Sequence, residues 1–174
     1  MLAKLIKAMI GLIILLAVVI GVMASPLVGP KFVIEEGAVI RTSKAELWAT
    51  LKAFDEYPRW NPYLVKIEGD FKVGETLAID LVDGNFDGVT SVTATLTEIE
   101  ENAYFCWQGY LLMPGIFDTQ HCFTISALND GISHIHQTES FGGLIAYALP
   151  AEDSMTPHVT ASFIAMHNAL IELF

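Results

Sequence analysis

Basic residues are scarce in this chain. Against 20 Asp and Glu there are only 9 Lys and Arg, a formal charge of −11 over 174 residues. Lys4 and Lys7 lie in the N-terminal segment, so from Pro26 onward the balance is 7 basic residues against 20 acidic ones, or −13. A surface of that sign repels phosphate backbones and anionic headgroups, which excludes nucleic acid as a partner. The nucleophile motif G-x-S-x-G is missing, and no serine is marked by its local context. Neither a phosphate-cradling glycine loop nor a dinucleotide fingerprint occurs, so no cofactor is expected. Internal repeats and low-complexity segments are absent too. What remains after the N-terminal segment is about 149 residues, enough for one domain with its own core.

Charge is lacking in one further place. Between Lys7 and Lys31 no charged residue occurs, and Ala8 to Ala24 is a 17-residue apolar run. At 1.5 Å per residue the run reaches ~26 Å; with Leu5, Ile6 and the uncharged residues 25–30 it is long enough to cross a ~30 Å hydrocarbon core. Lys4 and Lys7 on its N-terminal flank keep that end cytoplasmic. Two readings fit: a single-pass anchor, or a signal peptide cleaved after Val22-Met23-Ala24, with small residues at positions −3 and −1. Both export the remainder of the chain to a periplasmic or extracellular site, secreted if the segment is cleaved. The expected organisation is therefore 1–25 anchor or signal, 26–30 linker, and 31–174 a single domain.

Within that domain, Phe32-Val33-Ile34 and Ala38-Val39-Ile40 predict a strand over 31–42 with Gly37 as a bulge. Ser43 with Glu46 three residues on forms a capping box, and Leu47, Leu51 and Phe54 repeat at helical spacing. Pro58 and Pro62 stop that helix. Strands are expected at 63–69, 76–82, 89–98, 103–112, 117–128 and 132–141, separated by Asp, Asn, Gly and Pro turn chemistry. Short turns between consecutive strands imply an antiparallel meander. A loop over 142–154 leads to a last helix, with Thr156 as N-cap, Pro157 as first residue, and a stripe of Val159, Phe163, Met166, Leu170 and Leu173.

The order of these elements resembles the START-like, helix-grip superfamily (SRPBCC), which includes birch-pollen-allergen-like proteins, polyketide cyclases and lipid-transfer domains. The residues that carry the resemblance are A-E-L-W-A-T-L at 45–51, Y-P-R-W-N-P at 57–62, G-D-F-K-V-G at 69–74 and W-Q-G at 107–109. Further along stand P-G-I-F-D-T-Q-H-C-F at 114–123, Q-T-E-S-F-G-G at 137–143 and A-M-H-N-A-L at 165–170. The resemblance covers about 31–174. It implies an α+β helix-grip fold, a curved antiparallel sheet of about seven strands wrapped on the long C-terminal helix. It also implies a deep apolar pocket for lipids, polyketides or other hydrophobic molecules. One activity is not implied, since the fold hosts carriers, cyclases and sensors.

The hairpin around Met113 to Gly115 supplies a register. If Cys106 pairs with Cys122, then Trp107 faces His121 and Phe105 faces Phe123, and these four share one sheet face. On the last strand Ile135, Gln137, Glu139 and Phe141 share a parity whose apolar members point inward. His121 and Glu139 are then the polar groups that look into an apolar interior, with Gln137 beside them. A carboxylate so placed is held toward its neutral form by desolvation, which suits proton transfer or a hydrogen bond to a ligand. The alternative is that Glu139 pairs with His121, Gln137 or backbone and merely closes the interior. Cys106 and Cys122 form a cross-strand disulfide if they sit opposite one another in an exported protein; two buried thiols are the alternative.

His134-x-His136 has a spacing that can bind metal, but no third ligand is placed near it, and no metal is expected. Asp83-Gly84-Asn85-Phe86-Asp87-Gly88 matches half a calcium loop, yet position twelve is Ala94, so a hairpin turn is the reading. Trp60, Asn61 and Pro62 either pack at the mouth of the sheet or gate it. The expected function is binding of a hydrophobic small molecule or lipid. Phe105, Trp107, Phe123, Phe141, Met166 and Leu170 supply apolar contact, and His121, Gln137 and Glu139 orient a polar end. The alternative is a cyclase, dehydratase or isomerase using Glu139 and His121 as acid and base. The residues point to no particular protein partner.

Overall fold

Ser43 closes the first folded turn of the domain. In the computed structural model, which describes residues 1–25, 28–82 and 88–174, its hydroxyl accepts from the Glu46 N–H at 3.2 Å while Glu46 reaches back to the Ser43 N–H at 3.2 Å. The capping box is complete and starts α2, Lys44–Lys52, whose buried face is Leu47, Trp48 and Leu51. Before it come α1, Leu2–Met23, which buries nothing, and β1, Phe32–Ile40. After it a 3-10 turn, Phe54–Glu56, leads into α3, Tyr57–Trp60, with Pro58 in its first turn where a missing N–H costs little.

Six more strands complete the sheet: β2 Leu64–Glu68, β3 Thr76–Val82, β4 Val89–Glu100, β5 Tyr104–Tyr110, β6 Asp118–Asn129 and β7 Ile132–Gly142. The chain ends in α4, Gly143–Ala148, and α5, Ala151–Leu173. The seven strands form one antiparallel sheet in the order β1-β7-β6-β5-β4-β3-β2. β2 to β7 are thus a meander, and β1 closes onto the last strand instead of its sequence neighbour. Register shifts between Leu64 and Lys66, Leu96 and Glu98, and Ala127 and Asn129 bend the strands. An extra residue at such points increases local twist, which curls the sheet toward the helices.

The concave face is apolar and gripped on α5. Val159, Phe163, Met166 and Leu170 are buried there with Leu47, Leu77, Leu96, Phe105, Phe123 and Ile135. Each such side chain, fully buried, contributes about 1.5–3 kcal/mol relative to exposure. Trp48 packs edge-on to Phe105 and Phe71, and its indole N–H donates to Glu101 at 2.9 Å, so α2 is tied to the β4–β5 turn.

Four local expectations are corrected. Gly37 is not a bulge, since β1 runs in unbroken register along β7. Its glycine leaves room for a neighbour: a Cβ there would lie 2.8 Å from the His134 ring. The stretch 142–154 is not a loop but carries α4 and the first turn of α5. Helix α5 begins at Ala151, not after Thr156, and Pro157 lies inside it. The earlier start lets Ala151 and Met155 pack on the core, and Glu152 and Asp153 face the positive end of the helix, which offsets one lost backbone bond. Leu173, the last member of the expected stripe, is exposed. The reading of Asp83 to Gly88 as a turn falls on residues outside those described, apart from Gly88.

Candidate functional site

Three adjacent strands meet in the register expected from the hairpin. Cys106 pairs with Cys122, Trp107 with His121 and Phe105 with Phe123 across β5 and β6. His121 in turn pairs with Glu139, and Phe123 with Gln137, across β6 and β7. Because side chains alternate along each strand, this register places Phe105, Trp107, His121, Phe123, Gln137 and Glu139 on one face. The opposite parity carries Cys106 and Cys122, which are joined as a disulfide with Cα atoms 4.1 Å apart.

The inward face forms a nest of rings. Phe105 stacks on Phe123 at 4.8 Å, Phe123 on His121 at 4.6 Å, and Trp107 lies 5.1 Å from His121. From α5, Phe163 closes over the imidazole at 5.1 Å. Into this apolar setting project three polar groups. His121 is 2% exposed and Gln137 fully buried. The Gln137 amide nitrogen lies 3.1 Å from His121 Nε2 and donates its other hydrogen to the Met166 sulfur at 3.5 Å. An amide nitrogen only donates, so His121 Nε2 accepts and its proton sits on Nδ1. That Nδ1 lies 3.6 Å from Glu139 Oε2. The result is a line, Gln137 to His121 to Glu139, with an imidazole between an amide and a carboxyl.

The line is incompletely satisfied. Gln137 Oε1 and Glu139 Oε2 are buried without a hydrogen-bond partner. A buried acceptor left unpaired costs about 1–3 kcal/mol, so native interiors keep few of them. Chemically, the arrangement offers two open acceptors, one on each side of an imidazole, to any hydroxyl or N–H that reaches the interior.

The other expected contacts are distributed. Met166 joins the cluster through its sulfur, and Leu170 is fully buried one turn further along the same face of α5. Phe141 is buried toward the end of β7, where its ring meets Phe32 at 4.8 Å and Phe117 at 5.9 Å. Asn61 is buried and holds the start of β2, its side-chain oxygen accepting from Tyr63 N and Leu64 N at 2.9 Å. Packing therefore accounts for Asn61. Trp60 instead lines an open groove of about 420 Å³ with Ala53, Arg59 and Leu173. A second open groove, about 430 Å³, runs between Phe54 and Phe71. Neither groove is lined by the His121 cluster.

His167 is a functional candidate that the sequence pattern did not single out. It is buried on α5, its Nε2 has no partner, and burial together with His134, His136 and His121 pushes its pKa down to about 4. The signal was there: His167 stands four residues after Phe163, on the same helical face. His134 and His136 sit 6.4 Å apart, and His136 lies 3.5 Å from Glu35. Among the described residues no three His, Cys, Asp or Glu side chains converge as a metal site would require.

No protein-family profile and no curated protein sequence matches the chain. Solved structures do match in shape. The Zhui aromatase/cyclase from a Streptomyces species aligns with a TM-score of 0.64 and 15% identity, covering 81% of this chain and 92% of that one. A START superfamily protein from Mycobacterium smegmatis gives 0.62 and 15%, covering 80% and 94%. Norcoclaurine synthase from Thalictrum flavum, in complex with dopamine and hydroxybenzaldehyde, gives 0.61 and 15%, covering 82% and 85%. These likenesses show the fold: seven antiparallel strands curled on a long C-terminal helix, the helix-grip arrangement, similar in shape to an aromatase/cyclase, a START superfamily protein and norcoclaurine synthase.

Proposed function

We propose that residues 31–174 form a domain that binds a hydrophobic small molecule or lipid inside the grip, for carriage or sensing, at the outer side of a membrane. The observation that carries this reading is the unsatisfied polar line. Gln137 Oε1 and Glu139 Oε2 face an aromatic interior with no partner, where a purely structural core gains nothing from keeping them. A ligand hydroxyl or N–H would satisfy either acceptor. Phe105, Trp107, Phe123, Phe141, Met166 and Leu170 would supply the apolar contact.

The rings touch one another, so a ligand enters by displacing them. Met166, unbranched and flexible, can move at small cost. Burying ~300 Å² of apolar ligand surface would return ~7.5 kcal/mol gross, before the costs of ordering and association. The shared fold supports the reading, and one structure with that fold holds two small aromatic molecules. Export is supported by Lys4 and Lys7 ahead of an unburied apolar helix and by the Cys106–Cys122 bridge, which suits an oxidising compartment. In this reading α1 is the anchor and residues 26–30 are the linker.

A second reading has its own observation. With Nδ1 of His121 3.6 Å from Glu139, the pair can exchange a proton with a substrate, as a cyclase, dehydratase or isomerase requires. Glu139→Gln separates the two. Turnover lost with binding retained indicates an enzyme, whereas a change in affinity alone indicates a carrier. The binding proposal itself is tested by extracting molecules from full-length protein purified from its host membrane. Gln137→Leu should retain less of the extracted hydrophobic species than the parent. Equal retention would leave the polar line without a part in binding.

A further inference from the structure

Three of the stretches of this acidic chain that carry no Asp, Glu, Lys, Arg or His are 8–30, 102–117 and 140–151. In the fold they converge. The β5–β6 turn hydrogen-bonds α4 through Leu144 N to Gly115 O and Ile145 N to Ile116 O, both at 2.8 Å. The same turn abuts the end of α1, where a Cβ on Gly115 would run into the Ile20 carbonyl oxygen and lie 3.0 Å from Ala24. Tyr147 of α4 donates its hydroxyl to the Gly29 carbonyl, beyond the end of α1, at 3.0 Å.

Around that junction large apolar side chains stand in the open. Tyr110 at the end of β5, Leu111, Leu112 and Met113 in the turn, Tyr147 on α4 and Leu149 just after it are exposed, Leu112 by 83%. Leu112 is held there at a φ of 66°, a left-handed conformation rarely adopted by leucine. Asp118, the first carboxylate after the turn, is turned onto the Gly115 N–H at 2.9 Å, and Glu152 and Asp153 stand exposed just beyond Leu149. A contiguous apolar patch on a chain with this many acidic groups marks an interaction surface.

We infer that this patch docks into the interfacial layer of the same bilayer that α1 crosses. Position identifies the occupant. The patch meets α1 at its last turn, the level at which a spanning helix leaves the hydrocarbon. Apolar side chains flanked by tyrosines suit that depth. Because the patch is uncharged, docking needs no anionic lipid, and the acidic remainder of the domain stays in water. The strand register sets the consequence for the interior: Trp107, His121 and Glu139 lie three residues from Tyr110, Asp118 and Gly142, or ~10 Å from the docked end.

The inference rests on α1 being embedded, and the test keeps the two apart. Full-length protein in phosphatidylcholine vesicles would carry an environment-sensitive label at Leu112→Cys, at Leu149→Cys in case the turn tolerates no label, at Val18→Cys in α1, or at Val73→Cys. Val73 is 53% exposed in the β2–β3 turn, at the opposite end of the sheet. Nitroxide lipids should quench Val18 from the deep acyl position and Leu112 and Leu149 from the shallow one, leaving Val73 unquenched. Quenching at Val18 alone overturns the docking and leaves the anchor standing. No quenching at Val18 overturns both. Labels at Leu112 and Leu149 shielded from aqueous iodide but untouched by nitroxide lipid would mean that protein covers the patch, which also overturns it.

Discussion

His121 Nδ1 lies 3.6 Å from Glu139 Oε2 across one rung of the β6–β7 ladder, while the other ring nitrogen takes a hydrogen from Gln137 at 3.1 Å. The Gln137 contact alone sets the tautomer of the imidazole, and Glu139 stands just beyond hydrogen-bond reach of the other nitrogen. Gln137→Leu removes the donor to His121 but also removes the unpartnered Oε1. These two effects oppose, so unfolding free energy should change by less than about 1 kcal/mol. Ligand retention should still fall. Chemical denaturation and ligand extraction on the same preparation check both halves.

The Cys106–Cys122 bridge closes a 16-residue separation across a hairpin. A loop of that size is expected to contribute about 3 kcal/mol by restricting the unfolded chain. Cys106→Ser with Cys122→Ser should lower the denaturation midpoint accordingly, and the parent should take up alkylating agent only after reduction. Alkylation of both sulfurs in unreduced, unfolded protein would contradict the bridge.

His167 gives the domain a pH dependence. Its pKa is pushed from 6.5 to about 4 by burial first and by His134, His136 and His121 after that. Between those values the unfolded chain binds a proton that the folded one refuses, so stability falls as pH drops through the window and is fully present above it. His167→Leu should flatten that slope in denaturation midpoints measured between about pH 7 and pH 4.5. An unchanged slope would assign the acid sensitivity to other groups.

The capping box at Ser43 is expected to hold α2 against the sheet. Ser43→Ala removes an acceptor for Glu46 N and should cost about 1 kcal/mol. The loss should also raise amide exchange through residues 44–47 without changing exchange in β6 and β7.

The sheet face was legible because it depends on a period of two and one hairpin. Once Cys106 and Cys122 are placed opposite each other, the partners of Trp107, Phe105 and His121 are determined, and the meander extends that register to Glu139. The front of the domain was legible through Ser43 and Glu46. The start of α5 was not, because Pro157 is a strong local stop signal that tertiary packing of Ala151 and Met155 overrides. Helix α4 was hidden for the opposite reason: Gly142 and Gly143 read as loop, yet Gly143 is required where a Cβ would lie 2.8 Å from Ile116. Gly37 likewise serves a ring on the neighbouring strand, a long-range relation that no local pattern encodes. The residues of the interior's polar line could be read from strand parity, but its unpartnered atoms are visible only in three dimensions.

Native mass spectrometry of the full chain, purified from its host, tests the central claim most directly. Binding inside the grip predicts one co-purifying hydrophobic molecule, retained by the parent and diminished in Gln137→Leu. Recovery of the bare chain alone, with the Phe105, Phe123 and Phe163 rings unmoved when candidate lipids are added, would contradict it.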